Sequence, residues 1–248
     1  MLLSDLVSTS NAVAETSARL AKIERLASLL SRAAPDDLEI AVDYLAGALR
    51  QGRIGVGGAM LYEVRSASAA ASPSLTLSEV DDTFARIAAT VGPGSAAARA
   101  RLLAGLLARA TPAEQDFLVR LLVGELRQGA QEGLVLEAVA RAGGVPAARV
   151  RRAVMAAGDL ARVARALLVE GDRALDRFLV APFRPVQPML AESAEDVREA
   201  LARLGEASFE YKLDGARIQA HKAGGEVRVF SRALRDVTAA VPEVVEAV

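Results

Sequence analysis

The strongest constraint on this chain is that part of it occurs twice. "LASLLSRAAPDDLEIAVDYLAGALRQG" (residues 26–52) aligns without gaps on "LAGLLARATPAEQDFLVRLLVGELRQG" (103–129), with 14 of 27 positions identical at an offset of 77 residues. One local structure must therefore be built in two places. Each copy reads as a leucine-rich helix ending near Arg32 or Arg109, followed by Pro35 or Pro112 in the first turn of a second helix. The second helix keeps apolar residues at helical spacing (Ile40, Tyr44, Leu45, Leu49; Phe117, Leu121, Leu122, Leu126) and runs to "LRQG". Gly52 and Gly129 then stand where a left-handed cap is expected. Further helical pattern covers 59–64, 134–141, 147–156 and 160–169, and "SASAAASPSLTLS" (66–78) reads as loop. A period of 77 residues in two copies is too long and too few for a solenoid. It predicts an all-helical, pseudo-twofold domain over residues 1–178.

The repeat's exit admits two readings. In one, "LRQG" closes a helix, with arginine complementing the dipole and glycine supplying positive φ. In the other, the glycines let backbone N–H groups approach a phosphate chain, with Arg50, Arg53 and Arg127 beside Gly52 and Gly129. Two such loops about a pseudo-dyad suit a pseudo-dyadic ligand, and duplex DNA is one.

The pattern changes after residue 178. "FLVAPFRPVQPMLAES" (178–193) places three prolines in a short span, so residues 179–192 read as a linker and entry segment. A helix follows over 194–204, and the period then drops to two. "ASFEYKL", "ARIQAHK" and "EVRVFSR" read as strands, the last two joined by a hairpin at 222–226, before a helix begins at "PEVVEAV". Three short strands and two short helices make a poor core by themselves, so residues 193–248 are expected to be the first part of an α+β domain. The whole is a multidomain chain, α followed by α+β.

Composition excludes several chemistries. Cysteine is absent, which removes disulfides, thiolate zinc sites and cysteine nucleophiles. A single histidine, His221, leaves no His-pair metal site, and its alternating position makes it a strand residue. The N-terminus carries no signal-peptide pattern, and no apolar run reaches the roughly 18 residues of a membrane span, so a cytoplasmic protein is expected. A net charge of −1 gives no global basic signal for nucleic acid, which leaves local placement to supply one.

Of 30 Lys plus Arg only Lys22, Lys212 and Lys222 are lysines, a bias that an Ala/Arg-rich composition accounts for. Lys212 nevertheless stands in a chemically informative place. It closes a predicted strand just before the turn dipeptide Asp214–Gly215, in "EYKLDGARIQAHK". An amine shielded from water at a sheet rim can be deprotonated and act as a nucleophile, which a guanidinium cannot do.

"KLDGAR" resembles the K-x-D-G-x-R signature of covalent nucleotidyltransferases. With "VRVFSRALRDVT" following and "QPMLAES" preceding, the segment resembles the first two motifs of ATP-dependent DNA ligases and their entry segment. The duplicated helical region is similar to the DNA-binding domain that precedes the catalytic core in larger ligases. The resemblance thus covers the whole chain, as the N-terminal part of a bacterial, actinobacterial-like ATP-dependent DNA ligase. It implies that Lys212 attacks the α-phosphorus of ATP, that Glu210 accepts from the adenine amino group, and that Arg217 reaches the ribose or the nick phosphate. It implies further that Arg232 holds the nucleotide or the 5′-phosphate end, and that Asp214 and Gly215 shape the turn. Mg²⁺ is implied, with ligands expected after residue 248, as are the acidic and lysine-bearing later motifs. Nicked duplex DNA is the implied partner of a monomeric enzyme with no membrane association. RNA ligases, capping enzymes and NAD-dependent ligases share "KLDG", and a non-catalytic helical DNA-binding module is the alternative from another class. The helical front domain and Arg217 favour the ATP-dependent DNA ligases.

Overall fold

A computed structural model describes residues 1–64, 69–126, 132–186, 193–208, 210–211 and 214–248. The chain divides into two compact units, Met1–Val154 with Asp159–Phe178, and Met155–Gly158 with Leu179–Val248.

The first unit is helical. Its elements are α1 (Leu3–Ala14), α2 (Arg19–Leu30), α3 (Leu38–Ala46), α4 (Gly58–Val64), α5 (Leu77–Ala89), α6 (Ser95–Arg109), α7 (Pro112–Val123), α8 (Glu132–Ala142), all of α9 (Ala147–Ala157) but its last three residues, and α10 (Leu160–Arg165). A π-helical turn (Ala166–Glu170) and a 3₁₀ helix (Asp172–Arg177) follow α10. Helices α1 and α5 carry apolar stripes that complete the core beyond the segments expected from the sequence. That core is aliphatic, with Tyr44, Phe84 and Phe117 its largest fully buried side chains. Tyr44 and Phe84 meet at 6.2 Å between ring centroids, in a tilted pair. Each such side chain contributes about 1.5–3 kcal/mol through burial, so the unit is held mainly by the stripes of α2 on α8 and α3 on α10.

The two copies of the repeat form the same pair of helices, α2–α3 and α6–α7, but begin the second helix differently. Thr111 accepts from the Glu114 N–H while the Glu114 carboxylate accepts from the Thr111 N–H at 2.8 Å, with Pro112 in the first turn. This reciprocal cap needs Thr and Glu three apart. The first copy has Ala34 and Asp37 there, so Pro35 lies in a preceding turn and α3 starts at Leu38. Asp37 instead pairs with the Met1 ammonium and accepts from the Ser78 hydroxyl at 3.4 Å.

The ends of α3 and α7 overturn one expectation. Neither helix reaches "LRQG". Both stop at a glycine inside the repeat, Gly47 (φ 78°) and Gly124 (φ 72°). The Ala48 N–H donates to the Asp43 carbonyl at 2.8 Å, and the Glu125 N–H donates to the Arg120 carbonyl at 2.9 Å. Those six-to-one bonds and the left-handed glycine form the same terminal motif twice. Gly52 is therefore not the cap of α3. It follows a separate turn in which its N–H donates to the Leu49 carbonyl at 2.9 Å, and its φ is 65°. The exits of the two copies touch, since a Cβ on Gly47 would stand 3.7 Å from the Leu126 Cβ. The expected 66–78 loop ends at Thr76, whose side chain caps α5 through Glu79.

The second unit holds α11 (Val197–Leu204), an antiparallel hairpin of β1 (Ile218–Ala223) and β2 (Glu226–Ser231), a 3₁₀ turn (Thr238–Ala240) and α12 (Pro242–Ala247). Asp196 caps α11 by accepting from the Glu199 N–H at 2.8 Å, which starts the helix later than the expected residue 194. Gly224–Gly225 make the two-residue turn, with Gly224 at φ 60°. Gln219 and His221 share one face with their partners Phe230 and Arg228. The segment 183–186 lies along that face. The Phe183 N–H donates to His221 Nδ1 (3.0 Å), Gln219 bonds both backbone groups of Val186 (2.7 and 3.0 Å), and Arg228 stacks on the Phe183 ring. His221 thus acts in packing. The strand expected over "ASFEYKL" is absent among its described residues 207, 208, 210 and 211, and Tyr211 is 97% exposed. Alternation alone does not make a strand, because its N–H and C=O groups need a neighbouring partner.

Candidate functional site

Lys212 lies outside the described residues, as do Arg127 and Gly129. Glu210, Asp214, Gly215 and Arg217, which flank Lys212 in sequence, are exposed, and Asp214–Gly215 lead through a bend into β1. β1 begins one residue after Arg217, and β2 ends one residue before Arg232. Because Ile218 pairs with Ser231, the ladder delivers Arg217 and Arg232 to the same open end of the hairpin, opposite the glycine turn. Two exposed guanidiniums at one edge can grip phosphoryl oxygens in forked pairs. Glu210 has no ion pair among the described residues. No set of three or more acidic or histidine side chains among those residues is arranged to hold a metal ion.

In the first unit the exit of the first repeat forms a second candidate surface. Residues 52–58 read "GRIGVGG", and side chains built on Gly52, Gly57 or Gly58 would meet nothing within 4 Å. Arg53 is exposed beside them without an ion pair among the described residues, while Ile54 is buried at 4% exposure and ties the loop to the core. Arg50 has a different environment from the one expected. Its guanidinium donates to Asp81 Oδ2 and to Glu39 Oε2, both at 3.2 Å. Gln51 Nε2 donates to Asp81 Oδ1 at 2.9 Å, and the Tyr44 hydroxyl donates to the same oxygen at 3.4 Å. Burial and the neighbouring Asp81 push the Tyr44 phenol well above its ordinary pKa, so it remains a donor.

Sequence reasoning missed Asp81 and the cap glycines, though both left signals. Glycine stands at 47 and 124 in each copy. Asp81 interrupts the apolar stripe Leu77, Val80, Phe84, Ile87 of α5 with a charge.

Arg50 is outnumbered in this pocket. Glu39, Asp43, Asp81 and Asp159 line a cavity of about 400 Å³ with it. Burial first, then the Asp159 charge, pushes the Asp43 carboxyl up to about 7, with Arg50 opposing. A carboxylate raised on folding destabilises the native state as it ionises, so this penalty grows from about pH 4 to about pH 7 and is complete above. Asp43→Asn should therefore raise stability at pH 8 by roughly 1–2 kcal/mol after allowance for solvent screening, and by little at pH 4. Thermal melts of both proteins across that range check this; an equal gain at both pH values would contradict it.

Two family models match the chain, "DNA ligase N terminus" over residues 58–140 and "ATP dependent DNA ligase domain" over 188–248. It is similar to proteins named "Probable DNA ligase". One from Anaeromyxobacter sp. (strain Fw109-5) is 59% identical across 100% of this chain and 48% of the relative. One from Sorangium cellulosum (strain So ce56) is 55% identical across 100% and 47%. A third, from Mycolicibacterium gilvum (strain PYR-GCK), is 54% identical across 100% and 48%. The chain spans about half the length of the curated relatives it matches. With a helical unit under the first model and the Lys212 segment under the second, the chain belongs to the ATP-dependent DNA ligase family.

Proposed function

We propose that the protein to which this chain belongs seals nicks in duplex DNA at the cost of ATP. The observation that carries this reading is the placement of Arg217 and Arg232 at one open end of the hairpin, directly downstream of Lys212–Leu213–Asp214–Gly215. The Lys212 amine attacks the α-phosphorus of ATP, forming a P–N bond as the α–β P–O bond breaks and pyrophosphate leaves. Arg217 and Arg232 grip the ribose and phosphate side, and Glu210 accepts from the adenine. AMP then passes to the 5′-phosphate at a nick, and the 3′-hydroxyl displaces it as the phosphodiester forms. Mg²⁺ neutralises phosphoryl charge in such transfers; none of its ligands is assigned to the residues described. Residues 1–178 serve as the DNA-binding domain, 179–192 as the entry to the adenylation domain, and the enzyme acts as a cytoplasmic monomer. No helix of the described residues is long and apolar enough to cross a membrane.

The repeat exits are the phosphate-contacting loops, arranged about a pseudo-twofold axis. Support comes from the open Gly52, Gly57 and Gly58, from Arg53, exposed and without an ion pair among the described residues, and from the closeness of Gly47 to Leu126. Arg50 serves there by anchoring the loop, since carboxylates occupy its guanidinium. In sequence, Gly129 and Arg127 correspond to Gly52 and Arg50 in the second copy. Arg53→Ala should lower the log–log salt slope of binding to nicked duplex by roughly one. Gly52→Val should weaken binding further, because Val opposes a φ of 65° and blocks close approach. Affinity left unaltered in folded variants of both residues would end this reading of the loop.

A further inference from the structure

The glycine loop is hydrogen-bonded at its start and abutted by a side chain at its middle, and both supports end on α5 or just past it. At its start Asp81, 8% exposed and in the stripe of α5, binds Arg50 and Gln51 together. Gln51 also donates to the Asp81 carbonyl at 3.3 Å. At its middle, the Arg99 guanidinium occupies the space that a side chain on Gly55 would take. A Cβ on that glycine would fall 2.5 Å from Arg99 Nη1 and 2.9 Å from Cζ. Arg99 is itself fixed, since its Nε and Nη2 donate to the Thr90 carbonyl at 3.0 and 2.7 Å. Thr90 closes the C-terminus of α5, where the helix dipole favours a cation. Asp81 is an anion and no phosphate ligand, and Arg99, half-buried, spends its Nε and Nη2 on the Thr90 carbonyl.

We propose that Asp81 and Arg99 are positioning residues for DNA binding, holding the 50–58 loop in its phosphate-accepting conformation against α5. This rests on the reading that the loop meets DNA phosphates. An unrestrained glycine-rich segment would lose conformational entropy on binding, and the tethers remove much of that loss in advance.

The consequence runs against simple electrostatics. Asp81→Asn deletes a negative charge next to a polyanion's site, which by charge alone tightens binding. Positioning requires the reverse. In the full-length protein, Asp81→Asn should bind nicked duplex about tenfold more weakly, the scale of a lost charged hydrogen bond. Its salt slope should match the parent's, whereas Arg53→Ala should lose roughly one unit. Arg99→Gln should behave as Asp81→Asn does. Lysyl-AMP formation should be unchanged in Asp81→Asn and Arg99→Gln. If Asp81→Asn does not fold, Gln51→Ala removes the Gln51 half of that tether and should also give weaker binding at unchanged slope. Tighter or equal binding by the tether variants while Arg53→Ala is impaired overturns the proposal alone. So does a lowered Tm with parental affinity at temperatures where the variants are folded. If Arg53→Ala is also unimpaired, the loop does not meet DNA, and both readings fall.

Discussion

Full-length protein incubated with labelled ATP and Mg²⁺ should carry AMP on Lys212, and Lys212→Arg should carry none. The expected effect is total because it concerns the availability of a lone pair. A lysine amine can shed its proton in a shielded site and form a P–N bond, while an arginine stays protonated across the accessible range and offers no nucleophilic pair. Ligation of nicked duplex with ATP should fall with it, by on the order of a thousandfold or more, as expected when a covalent step is removed. A nick whose 5′ end already carries AMP separates the steps, since sealing it does not need the lysine as nucleophile. Lys212→Arg should retain part of that activity. Adduct formation persisting in the arginine variant would remove Lys212 from the mechanism and would leave "KLDGAR" as a turn sequence.

The second large effect concerns residues 1–248 by themselves. They should show no measurable ligation of nicked duplex and at most trace self-adenylation. The chain spans about half of its relatives' length, and the acidic and lysine-bearing motifs that the resemblance implies for the triphosphate are not found in it. The hairpin is two-stranded, and the apolar positions Val197 and Leu204 of α11 are 61% and 69% exposed, with no residue of that helix buried. Such a unit lacks the enclosed surface that excludes water and fixes a phosphoryl group in line. The helical unit is better provided, so binding to duplex should survive where ligation does not. Efficient sealing by residues 1–248 would place the missing chemistry among residues considered above and would require a different assignment of roles.

Helical elements were legible because their signal is local. Apolar spacing placed α2, α3, α6 and α7 twice over, and the hairpin followed from β-period runs around Gly224–Gly225. Helix ends were read less well. "LRQG" drew attention as the most identical part of the repeat, but the chain turns at Gly47 and Gly124, where a left-handed residue and a six-to-one bond stop the helix. The strand expected at "ASFEYKL" shows the opposite limit, for a strand depends on a partner that its own residues do not encode.

The chemistry divides along the same line. Lys212 and the glycine loops stood out by residue type and short spacing, and Arg217 and Arg232 by the resemblance to ATP-dependent DNA ligases, so the sequence by itself determined them as candidates. Two things came only from the tertiary structure: that Arg50 is engaged by Glu39 and Asp81, and that Arg99 lies on Gly55. Asp81 stands 31 positions from Arg50, and Arg99 lies 44 positions from Gly55. No periodicity links residues so far apart; packing α5 and α6 beside the loop does, and that packing decides whether an arginine is offered to a ligand or used up within the fold.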